Sequence, residues 1–172
     1  MPRSMDWHDA DWDDEDADQQ ATAYHEAGHS VVGVLLGAKV RYATLESEQV
    51  GHLGEVEMHW PSRFAATRST DPLRAILAGP VAEALYRNLA WQEVARGPGS
   101  QDLLQAWTIA AEYGWSNAKT MTWLQAEGER LSEFMDRAEV WAAVSAVADL
   151  LLAHDTLEHE EISEEVQAWM RR

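Results

Sequence analysis

Residues 23–37 read AYHEAGHSVVGVLLG. Apolar or small residues recur at Tyr24, Ala27, Val31 and Leu35, and again at Gly28 and Val32. That is helical spacing with one face to bury. Gly37 supplies a stop, and the acidic residues before Ala21 suit the positive end of a helix dipole. The expected helix runs from about Gln19 to Leu36. On it, His25 and His29 stand at i and i+4, one above the other on the same face. Two imidazoles so placed can share one tetrahedral Zn²⁺. Glu26, about 100° round the helix, flanks the open coordination position without being a ligand. This is the H-E-x-x-H arrangement, with the glutamate as general base toward water at the metal.

The remaining sequence narrows the class. At 172 residues the chain reads as one domain with room for a real core. Its formal charge is −17, and Lys39 and Lys119 are its only lysines. Such a surface repels phosphate backbones and anionic lipid, so nucleic acid is not an expected partner. The absence of cysteine removes disulfides and thiolate metal sites. No apolar run reaches the roughly 18 residues a spanning helix needs, so no membrane-spanning segment is expected. The first residues lack the apolar centre of a signal peptide, which makes the cytoplasm the expected location. No phosphate-binding loop motif occurs either.

Residues 1–18 read as an acidic, disordered head, and 19–172 as the folded domain. The KVRYATLE and GEVEMHW stretches within residues 39–60 alternate with period two, putting Val56, Met58 and Trp60 on one face. They predict a small β ribbon with Gly51 and Gly54 between its strands. A helix follows from Asp71 as N-cap and Pro72 at N1, with a kink or break expected near Gly79 because Pro80 interrupts the pattern. RGPGS (96–100) leads into a further helix that stops at Gly114. A long helix is expected over about Glu129 to Ala153, and a short one from about Ser163, after the acidic turn HDTLEHEEI. The expected fold class is mostly α with a small β ribbon.

A catalytic zinc needs a third protein ligand. The residues alone leave the carboxylates and His8, His52, His59, His154 and His159 as candidates. Four stretches in order, AYHEAGHSVVGVLLG, ILAGPVAEALY, GSQDLLQAWTIAAEYGWS and LLAHDTLEHEEI, resemble the peptidase domain of the FtsH-type ATP-dependent zinc metalloproteases. The resemblance spans about Ala23 to Val166 and implies a zincin-like metallopeptidase domain. It implies His25 and His29 as zinc ligands, Glu26 as catalytic base and Asp102 as third ligand. Glu83 matches the motif glutamate in GPVAE, with a supporting role behind the ligands. Pro80 and Ala78 depart from the family's pattern, and the membrane anchor and ATPase module have no counterpart here.

The implied activity is zinc-dependent endoproteolysis of flexible or unfolded polypeptides without an ATPase of its own. A homo-oligomer or a protein partner is compatible with this reading. The alternatives are a non-catalytic zinc-binding interaction module and a small metal-dependent amidase. An intact Glu26 favours catalysis, because a structural zinc site has no use for a base.

Overall fold

The computed structural model describes residues 9–47 and 53–171. His8, Gly51 and His52, which enter the readings above, lie outside the described residues. The elements are mostly helices: α1 (Asp9–Leu35), α2 (Ser62–Ala66), α3 (Asp71–Arg87), α4 (Trp91–Arg96), α5 (Ser100–Glu112), α6 (Asn117–Met135), α7 (Ala138–His154) and α8 (His159–Met170). Three strands, β1 (Lys39–Thr44), β2 (Glu55–His59) and β3 (Thr156–Glu158), form one antiparallel sheet in the order β2-β1-β3. Among the described residues no helix is long and apolar enough to cross a membrane.

Helix α1 is the central element and packs most extensively on α3, then on α7. Its contact with α3 is close because small residues meet there. A methyl group on Gly28 would come within 2.5 Å of the Ala78 carbonyl oxygen and the Ala82 methyl. Ala23, Ala27 and Val31 are fully buried on α1, opposite Leu73, Leu77 and Val81 of α3 and Val144 and Val147 of α7 in one core. The helix begins at Asp9, ten residues before the expected start at Gln19, so residues 9–18 of the expected disordered head are helical. It ends at Leu35, and Gly37 follows at φ +93°, a left-handed conformation that glycine adopts without a steric penalty.

Helix α3 runs without the break expected near Gly79. It is one helix from Asp71 to Arg87, with Thr70 as N-cap and Pro80 inside it. Proline removes one hydrogen bond, here the one Ile76 O would accept, and an interior proline costs about 3 kcal/mol. Burial of every residue from Leu77 to Ala84 offsets that loss, and the Pro80 ring packs over Gly99 at the start of α5. Glu127 of α6, also buried, pairs with Arg74 Nε of α3 at 2.7 Å.

The ribbon forms as expected, with Val40 opposite Met58 and Tyr42 opposite Glu57. A register shift between Val40 and Tyr42 marks a bulge at Arg41. The third strand is new: Leu157 of β3 lies opposite Ala43 and is fully buried. The sheet leaves β2 as an edge strand.

Candidate metal centre

The first two turns of the buried half of α1 bring His25, Glu26 and His29 to a cleft of about 670 Å³. Its walls are β2, the mid-part of α3 and the first turns of α5. All three side chains are buried. Asp102, in the first turn of α5, reaches them from the other side of the cleft: Oδ2 lies 2.9 Å from His25 Nε2 and Oδ1 lies 3.3 Å from His29 Nε2. Among the described residues, His25, His29 and Asp102 are the one group of three or more His, Asp or Glu side chains whose ligand atoms converge, all within 4.8 Å.

The outer nitrogens of both imidazoles are fixed. His29 Nδ1 is 2.8 Å from the Ala75 carbonyl oxygen, which can only accept, so Nδ1 carries the hydrogen. His25 Nδ1 donates in the same sense to Glu83 Oε2 at 2.8 Å. Both rings therefore turn Nε2 toward Asp102. Ligand arms of about 2.0–2.2 Å at tetrahedral angles would separate ligand atoms by about 3.3–3.6 Å. The contacts to Asp102, 2.9 and 3.3 Å, lie below and at the short end of that range, while the ligand atoms of the trio all fall within 4.8 Å of one another. Two imidazoles and a carboxylate, each imidazole oriented by an acceptor behind it, fit a divalent metal ion.

The electrostatics of the metal-free site follow from the same contacts. Burial alone would lower the His25 imidazole, but hydrogen bonds to Asp102 and Glu83 outweigh it and raise the pKa to about 10. His29 is likewise raised, against its burial, by the charge of Asp102. Asp102 is held far below the usual carboxylate range by His29 and His25 despite being buried. Glu83 is lowered despite burial, through His25 and then Arg87.

Glu26 stands apart from this network. It is 6% exposed, lines the cleft, and its carboxylate accepts no hydrogen bond among the described residues. Burial raises its pKa, against the opposing charges of His25 and His29. Two glycines make the arrangement possible by close approach. A Cβ on Gly54 would lie 2.6 Å from Glu26 Oε1, and one on Gly79 would overlap His29 Nε2 and come within 2.8 Å of His25 Cδ2.

All five residues singled out by sequence, His25, Glu26, His29, Glu83 and Asp102, meet in this one region. The other described histidines do not join them: His59 pairs with Glu57 on the surface, and His159 Nδ1 lies 3.0 Å from Val40 O. Sequence reading missed Gly54, Gly79 and Arg87. Only Arg87 carried a usable local signal, its i,i+4 spacing from Glu83. No protein-family model matches the chain, and no curated protein matches it.

Proposed function

We propose that the protein is a zinc-dependent metalloendopeptidase with a zincin-like domain of the FtsH peptidase type, acting on flexible or unfolded polypeptide. The observation that carries this reading is Glu26: a buried carboxylate, free of hydrogen bonds among the described residues, beside a convergent His-His-Asp trio in an open cleft. A site meant only to hold a metal has no need of it. His25, His29 and Asp102 would hold Zn²⁺, which supplies Lewis acidity, lowering the pKa of water toward about 7 and polarising a carbonyl.

The protein's own residues do the rest. Glu26 takes one proton from water as the oxygen bonds to the scissile carbonyl carbon. It then delivers that proton to the leaving amine nitrogen as the C–N bond breaks. Its raised pKa serves both halves of the transfer, since the carboxylate binds the proton more firmly than an exposed one would. Among the described residues β2 is an edge strand that lines the cleft, so an extended peptide can pair along its outer edge and lie across the site.

The test is Glu26→Gln, which keeps the shape and removes the base. Zinc content and folding should survive, while hydrolysis of an unstructured casein-type substrate falls by about a hundred- to ten-thousand-fold. Parent-rate hydrolysis in the variant would rule out the base. A parent protein that binds zinc stoichiometrically and cuts nothing would favour the interaction-module alternative.

A further inference from the structure

One chain of polar contacts leads away from the ligands. Glu83 divides its two oxygens: Oε2 accepts from His25 Nδ1 at 2.8 Å, and Oε1 accepts from Arg87 Nε at 2.8 Å. Arg87 stands one turn further along α3. Its Nη2 crosses to Asp18 Oδ1 on α1 at 3.3 Å. Asp18 lies seven residues before His25, two turns earlier on the same face of α1. The four side chains thus form a run of three contacts that bridges the two helices, with His25 at one end.

We propose that Arg87 is a positioning residue for the metal centre, acting through Glu83 to set the His25 ring before metal arrives. The inference rests on His25, His29 and Asp102 being the ligands. Glu83 is 4% exposed, so water cannot readily occupy the oxygen that Arg87 now satisfies. Without Arg87 the carboxylate can rotate about its last bond, and the His25 Nδ1–H loses a fixed acceptor. Such outer partners orient a ligating imidazole and tune its basicity. Among the described residues that line the cleft, Arg87 is the only arginine or lysine. Its Nε and Nη2 are engaged by Glu83 and Asp18.

The experiment measures Zn²⁺ affinity by competition with a chromophoric chelator for the parent, Arg87→Met, Arg87→Lys, Glu83→Gln and the Glu83→Gln/Arg87→Met double variant. Cobalt-substituted protein gives the visible absorption of the site as an independent signature. Arg87→Met should weaken zinc about tenfold or more and alter the cobalt spectrum, with Arg87→Lys recovering part of both. In the Glu83→Gln background, Arg87→Met should add less than about twofold, because its route to the metal is already cut. Arg87 is part-exposed in the last turn of α3, so the Arg87 single variants leave the core intact, and Glu83→Gln keeps the shape of the buried side chain. Parent-like affinity and spectrum in folded Arg87→Met, even with a lowered melting temperature, would reduce the ion pair to a structural one and overturn the proposal. An equal loss in both backgrounds would also overturn it, by showing that Arg87 does not act through Glu83. A parent protein that binds no metal would instead remove the ligand assignment itself, a result the variants cannot mimic.

Discussion

At Gly79 and Gly54 a single methyl group separates two properties of the site. Gly79→Ala drives a carbon into the imidazoles, so purified protein should lose most of its metal on elemental analysis. Gly54→Ala crowds Glu26 first, so zinc should stay while hydrolysis drops by about a hundredfold or more, as for loss of the base. Parent-like zinc in the first variant, or parent-like turnover in the second, would contradict the assigned contacts. A pH dependence follows from His25. Its pKa, raised from 6.5 to about 10, keeps the ring protonated at neutral pH until a metal displaces the proton. Zinc uptake should therefore release protons and tighten as pH rises from about 6 to about 8. Calorimetry in buffers of different ionisation enthalpy reads this directly, and pH-independent uptake would refute it. In chelator-treated protein the same group stabilises the fold fully below 6.5, and that contribution is lost as pH climbs through about 10. His25, Glu26 and His29 were legible in the sequence because their relation is one helical turn. Asp102 lies 77 residues from His25, and spacing alone could not choose it over other carboxylates. Gly54 and Gly79 matter only through contacts made in three dimensions.

Legibility did not simply follow length: the single helix expected over about Glu129 to Ala153 is two, α6 and α7, separated at Asp136 and Arg137. Helices α1, α3 and α5 and the β1–β2 ribbon announce themselves by repeated spacing. No break occurs at Pro80, because tertiary burial allows what a local rule disfavours. Helix α4 has six residues and β3 has three, too few for any period to register. The start of α6 had a signal that was passed over: Ser116 is its N-cap and accepts from the Lys119 backbone N–H at 3.2 Å. Strand β3 also shows that brevity does not mean weakness. Leu157 is fully buried between β1 and the helices that flank it. Leu157→Ala should cost about 2–5 kcal/mol, the range for a core leucine. Chemical denaturation would measure it, and a loss below about 1 kcal/mol would mean that β3 is an accessory to the sheet.

Over the whole molecule the charge of −17 sets what approaches the cleft. The cleft itself carries Asp18, Glu55 and Glu57 around the site. Unstructured cationic peptides should be cut faster than anionic ones of equal length at low salt. The gap should close as ionic strength rises past about 0.1 M, where the screening length is about 10 Å. A rate ratio indifferent to salt would count against steering. Another consequence concerns order in time. Thr44 of β1 meets Thr156 of β3 across 112 positions of chain, and β1 in turn backs β2, the strand that borders the cleft. On the ribosome the H-E-x-x-H helix, Glu83 and Asp102 all emerge before β3 exists, and contacts of such separation close last. A nascent chain is the extended, unfolded polypeptide that the finished cleft would accept. On the proposed function, a border left unbraced until residues 156–158 have been made would delay cutting until the chain has folded out of reach of its own site.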